Sequence, residues 1–153
     1  MGIKIITDSS CDLPQELVDK HDIGIVSLHV TFEDNTTFTE RVTITPEQFW
    51  QRMVAQKELP KTSRPTPEAF MEAFGTALNN YRSVIYLGLS SALSDAFESA
   101  QLAAKSVSGD IHLIDSLTGS LAWASWPSKL MISFVPGLAP SQLLKKLLII
   151  GTA

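Results

Sequence analysis

The 153 residues carry 12 Lys and Arg against 16 Asp and Glu, a formal net charge of -4 at pH 7, and are 44% hydrophobic. That is apolar material enough for one globular domain, and the dispersed basic residues form no stripe able to neutralise a nucleic-acid backbone. The single cysteine, Cys11, excludes an internal disulfide framework and a cysteine-based zinc site, and makes the cytoplasm the expected compartment.

In chain order, Ile3-Lys4-Ile5-Ile6 reads as a buried strand running into the polar turn TDSS, its apolar run being too short for a signal-peptide core. Leu13 to Val18 reads as a helix start with Pro14 in its first turn, where a missing N–H costs nothing. Ile23 to Phe32 is β-branched and partly alternating. With the turn residues Glu33-Asp34-Asn35 and the extended stretch Thr36 to Val42, it predicts a hairpin.

Thr45-Pro46-Glu47-Gln48 has the form of a capping box, followed by Phe49, Trp50, Met53 and Val54 on one helical face. A loop is expected from Leu59 to Pro67. Thr66-Pro67-Glu68 repeats the cap pattern ahead of Phe70, Phe74, Ala77 and Leu78 at helical spacing. Ser83 to Leu89 is the continuous apolar run of a strand covered on both faces. It ends in Ser90-Ser91, a helix is expected from about Ala92 to Val107, and Ile111 to Ile114 predicts a strand ending in Asp115-Ser116.

Beyond that point, the apolar stretch Leu121 to Ile150 is broken by Pro127, Ser128, Lys129, Pro136, Gly137, Lys145 and Lys146, and holds no segment clean enough to span a bilayer. Leu143, Leu144, Leu147 and Leu148 predict a helix behind Pro140-Ser141. The alternation of strands and helices predicts a single α/β domain over 1–153, a three-layer Rossmann-like arrangement with a mainly parallel sheet.

Three strands thus end in acid or serine clusters: Asp8 and Ser9 in TDSS, Ser90 and Ser91, and Asp115 and Ser116. In open parallel sheets ligands bind beyond the carboxyl ends of the strands, near helix N-termini, so these clusters are expected on one rim. Thr62 and Ser63, in the loop KTSRPTP, are placed to reach it. Neutral hydroxyls there suit a carboxylate or phosphate. The plainer reading of each cluster is a helix cap, worth about 1 kcal/mol. Asp8 and Asp115 read as an acid–base pair or, more simply, as loop anchors. No nucleophile elbow and no glycine-rich nucleotide loop occurs. His21, His29 and His112 are scattered, without metal-ligand spacing, so neither cofactor nor metal is expected.

The motifs ITDSSCDLP at Ile6 to Pro14, KTSRPTPEAF at Lys61 to Phe70, VIYLGLSSALSDAFESA at Val84 to Ala100 and IDSLTGS at Ile114 to Ser120 resemble, in order, the N-terminal part of the DegV family of bacterial fatty-acid-binding proteins. The resemblance implies a carrier and not a catalyst. It implies a long-chain fatty acid in an apolar tunnel, its carboxylate held by Thr62 with Ser63 beside it and by Ser91 or Ser90. It also implies a separate fatty acid kinase as partner, where the chemistry resides.

The sequence departs from the family pattern in three places. Asp95 stands where glycine is usual, and Arg64, where glutamine is usual, is expected to supply compensating positive charge. The family's C-terminal domain, which the resemblance makes the other wall of the tunnel, is expected to be absent, and with it much of the affinity, since each buried methylene contributes about 0.8 kcal/mol. Trp123 to Gly137, with Pro127 and Pro136, interrupts what the family has as a smooth helix. Shifting the codons of Trp123 to Pro127 by one nucleotide permits such a helix, so a frameshift near residue 122 is expected. Two rival readings are a serine-dependent acyl hydrolase with Ser91 as nucleophile, and a truncated remnant forming homo-oligomers through its exposed domain-interface surface.

Overall fold

The computed structural model describes residues 2–119. The break at Trp123 to Gly137 and the helix expected around Leu143 to Leu148 lie outside the described residues.

Two sheets make up the frame. The larger is parallel, with strands β1 (Ile3–Asp8), β2 (Gly24–Val26), β6 (Ser83–Gly88) and β7 (Asp110–Asp115) in the order β2-β1-β6-β7. The smaller is antiparallel, β4-β3-β5, from β3 (His29–Thr31), β4 (Thr37–Thr39) and β5 (Lys61–Ser63). Helices α1 (Gln15–Lys20), α2 (Pro46–Val54), α3 (Pro67–Asn80) and α4 (Ala96–Ser106) complete the described part, an α/β fold.

The alternation of side chains along a strand sorts the core into two layers. Ile5, Ile85 and Leu87 point to one face, where they pack with Cys11, Leu13 and Val18 at α1. Ile6, Val84 and Tyr86 point to the other and meet Phe70, Phe74 and Ala77 of α3 and Phe97, Ala100 and Ala103 of α4. Every residue of β6 is buried, as its unbroken apolar run requires. Val30, Phe32 and Ile44 form a separate cluster under the small sheet, with Phe38 and Phe49 against it.

Local chemistry sets the ends of the elements. Thr45 accepts from the Gln48 N–H while the Gln48 side chain accepts from the Thr45 N–H, the expected capping box. Thr66 caps α3 through the Ala69 N–H. Asn35 adopts the left-handed conformation at the hairpin turn, where the Asp34 carboxylate accepts from the Thr36 N–H.

Five expectations need correction. Ile23 to Phe32 is not one strand: it breaks at Ser27-Leu28, where the Leu28 N–H turns away to donate to Ser9 Oγ at 2.9 Å and the chain changes sheet. Lys61 to Ser63 is a short edge strand and not loop, because Thr62 pairs with Val30 and completes the antiparallel sheet. Pro14 is the residue before α1, outside its first turn. Helix α4 begins at Ala96 and not Ala92, because the Ser90 carbonyl accepts from Leu93 and Ser94 N–H in a turn and Ser94 Oγ then takes the Ala96 N–H. On α2, only Phe49 of the four expected face residues joins the apolar cluster, and Trp50 is 59% exposed.

Candidate functional site

The parallel register puts the ends of β1, β6 and β7 side by side: Thr7 pairs with Leu87, and Gly88 with Asp115. The three clusters expected on one rim therefore do share it. What they do there differs from residue to residue.

Asp8 is fully buried and accepts four hydrogen bonds. Its Oδ1 takes the Ser10 N–H at 3.2 Å and the Ser10 hydroxyl, and its Oδ2 takes the Tyr86 hydroxyl at 2.8 Å and the Leu89 N–H at 3.0 Å. A buried carboxylate is tolerable only when its oxygens are so occupied. The bond to Leu89 pins the start of the loop after β6. Tyr86 crosses to Asp8 over Gly88, where a Cβ would stand 2.6 Å from the tyrosine ring, so a larger residue would displace it. Burial first, and then the Asp8 charge, raise the Tyr86 hydroxyl well above its usual pKa.

The rest of that loop is fixed from β7. The Asp115 carboxylate accepts from the Ser91 N–H at 3.2 Å and from the Leu117 N–H at 3.0 Å, Thr118 O accepts from the Ser90 N–H at 3.2 Å, and Gly88 O accepts from the Ser116 N–H at 3.1 Å. The backbone donors of Leu89, Ser90 and Ser91 are thus already committed within the protein. An anion beside Ser91 is therefore not met by these three amides.

The hydroxyls divide in two groups. Ser90 is buried and its Oγ accepts from the Ala92 N–H at 3.2 Å. Ser116 is buried, donating to Thr118 O and accepting from the Thr118 N–H. Buried Ser9 takes the Leu28 N–H and donates to Glu40, while Arg41 donates to Leu13 O at 2.8 Å, and these bonds latch the small sheet to the first rim loop. Thr62, Ser63 and Ser91, in contrast, are exposed, and their hydroxyls have no hydrogen-bond partner among the described residues.

Two exposed leucines flank Ser91. Leu93 follows it and is 67% exposed, and Leu117, on the neighbouring loop, is 75% exposed. The loops touch, since a Cβ on Gly119 would lie 3.3 Å from Leu93 Cδ1. Leu117 has a left-handed backbone, φ 53°, a conformation that costs a residue with a Cβ roughly 1 kcal/mol or more and is held here by the Asp115 bond. Free hydroxyl and apolar surface are therefore neighbours.

Arg64, which follows β5, does not stand free as compensating charge. Its Nη1 donates to Glu98 Oε2 at 2.9 Å and to Asp95 O at 3.3 Å, with Asp95 Oδ2 at 3.8 Å. The two departures from the family pattern answer each other, and the pairing ties the strand bearing Thr62 and Ser63 to the first turn of α4, which follows the Ser91 loop.

For acyl transfer, Ser91 would need a base. Among the described residues no histidine is bonded to it: His29 Nδ1 meets Thr39 Oγ1 at 3.2 Å, and His112 Nε2 lies 2.9 Å from Asp110. No group of three or more His, Cys, Asp or Glu able to hold a metal occurs among the described residues. No helix among the described residues is long and apolar enough to cross a membrane. Sequence reasoning missed Tyr86, Leu93, Leu117 and Glu98. A tyrosine in a buried strand beside an acid-ended strand is a legible signal for the first. The leucines carry none, because their exposure is set by loop packing.

Comparison with known proteins places this arrangement. The family model described as uncharacterised protein, DegV family, matches residues 2–127. A DegV domain-containing protein of Staphylococcus aureus (strain N315) is 30% identical over 149 residues, 96% of this chain and 52% of the relative. Among solved structures, a fatty acid (stearic acid)-binding protein from Eubacterium ventriosum superposes with a TM-score of 0.87 at 32% identity, covering 96% of this chain and 52% of that one. A DegV family protein from Thermus thermophilus, described for its fatty acid binding, gives 0.87 at 28% identity, covering 99% and 54%. The chain spans about half the length of the relatives it matches. From its matched residues and its fold, the chain belongs to the DegV family.

Proposed function

We propose that the chain binds a long-chain fatty acid, with Thr62 and Ser91 donating to its carboxylate, Ser63 next to Thr62 but on the other face of the edge strand, and the first methylenes lying along Leu93 and Leu117. The observation that carries this reading is the pattern of hydroxyl use. Ser9, Ser90 and Ser116 are committed to the loops they build, whereas Thr62, Ser63 and Ser91 stand exposed and unpartnered among the described residues. Ser91 is accordingly preferred over Ser90. Asp8 and Asp115 serve as anchors of the Ser91 loop and not as an acid–base pair, since the protons they face belong to Tyr86, Ser10 and backbone amides. The family's fatty-acid-binding structures support the class of ligand.

A finer reading rests on the family resemblance: the chain is a binding subunit that presents the carboxylate to a separate fatty acid kinase. Hydroxyl donors suit that role, because they hold a carboxylate without a fixed cation that would have to be left behind on transfer.

Titration with oleic acid and with methyl oleate tests the binding mode. Each hydrogen bond to a charged group contributes about 1.5 to 3 kcal/mol, so Thr62→Ala and Ser91→Ala are expected to weaken oleic acid at least about tenfold. Methyl oleate is expected to bind weakly and to be indifferent to both substitutions. Equal binding of acid and ester, or no binding of either, overturns the proposal.

A further inference from the structure

We infer that Arg64 is a positioning residue for this site, setting the separation between the Thr62 and Ser63 hydroxyls on β5 and the Ser91 loop. The inference rests on the proposed carboxylate clamp and deepens it. Strand β5 is three residues long, exposed throughout, and lies at the edge of the small sheet, where among the described residues it is joined to β3 alone. Pairing to β3 fixes its register but leaves its outer side unheld, and such an edge frays readily.

Arg64 supplies a tie on the other side. It reaches across 31 residues to Asp95 O and 34 to Glu98, spanning from the end of β5 to the first turn of α4. The buried Pro65 that follows fixes the chain immediately behind it. Asp95 immediately precedes α4 and Glu98 lies in its first turn, where acids are favoured by the helix dipole. Unpaired, these acids would stand beside a site meant for an anion. The guanidinium therefore joins the two halves of the clamp and neutralises the acids in the same contact. Because the pair is exposed, with the Arg64 side chain 45% accessible, its effect is modest and sensitive to salt.

The test measures oleic acid affinity and amide exchange of Lys61 to Ser63 in the wild type, in Arg64→Ala, and in the charge-swapped Arg64→Glu/Glu98→Arg. In Arg64→Ala, oleic acid is expected to bind about fivefold more weakly and the β5 amides to exchange faster. The swap is expected to restore both to within about twofold of wild type. Wild-type affinity and exchange in Arg64→Ala overturn the inference. So does a loss of affinity in Arg64→Ala with β5 exchange unchanged, since that marks Arg64 as acting on the carboxylate and not on the strand. Should the wild type bind no oleic acid, the reading of function falls, and the exchange rates alone decide the tie: faster exchange reversed by the swap supports it, and unchanged exchange overturns it.

Discussion

The rim of the parallel sheet and the edge of the small sheet both present acids and hydroxyls, and they use them in opposite ways. At the rim, Asp8, Asp115, Ser90 and Ser116 are bonded to the backbone of the loops around them, and buried Tyr86 reaches the same network. At the edge, Thr62 and Ser63 contribute their backbone to β5 while their side chains stay exposed. A hydroxyl that holds a loop is no longer available to a ligand. The rim is thus the scaffold that presents Ser91, and the edge strand displays Thr62 and Ser63.

That contrast is broken most sharply at Asp8. Removing its carboxylate in Asp8→Ala strands the Tyr86 hydroxyl and the Leu89 N–H in the interior, and the loss is expected to be about 3 kcal/mol or more, read as a lowered denaturation midpoint. Tyr86→Phe removes only one of the four donors to Asp8 and is expected to cost about 1 to 2 kcal/mol at neutral pH.

The same variant carries a pH signature. The Tyr86 pKa is raised in the folded state, so its contribution to stability is complete below the ordinary tyrosine value of 10 and is lost as pH rises past it toward the folded value. Cys11, fully buried and pushed up to about 11 from 9.0, acts in the same sense from pH 9 upward. Denaturation midpoints between pH 8 and 11 are expected to fall in the wild type, and to fall less in Tyr86→Phe, where Cys11 and Tyr81, raised by its bond to Asp22, still contribute.

The smallest effect on stability is expected at the edge. Thr62→Ala, Ser63→Ala and Ser91→Ala remove hydroxyls with no partner among the described residues, and each is expected to change stability by less than about 0.5 kcal/mol in the same denaturation assay. A loss comparable to that of Asp8→Ala would erase the distinction between the two regions.

Much of this frame was legible in the sequence because single residues dictate it. Thr45 and Thr66 announce their helices, the apolar run of β6 announces a central strand, and three polar strand ends announce one rim. Which hydroxyls are spent was not legible. Ser90 and Ser91 are adjacent and chemically identical, and they differ only in that one turns inward to cap the Ala92 N–H. The break at Ser27-Leu28 and the strand character of Lys61 to Ser63 depend on contacts with Ser9 and Val30, far away in sequence, which local propensity does not register. Arg64 was legible as a departure from the family pattern, but its role as a tie required Glu98 to be seen beside it.

On the proposed reading, the unspent hydroxyls of Thr62 and Ser91 hold a fatty acid. Native mass spectrometry of the protein purified from bacteria tests it most directly. An adduct of long-chain acyl mass is expected on the wild type, with its loss in Thr62→Ala/Ser91→Ala at unchanged thermal stability. A wild type without the adduct, or an adduct that survives the double substitution, contradicts it.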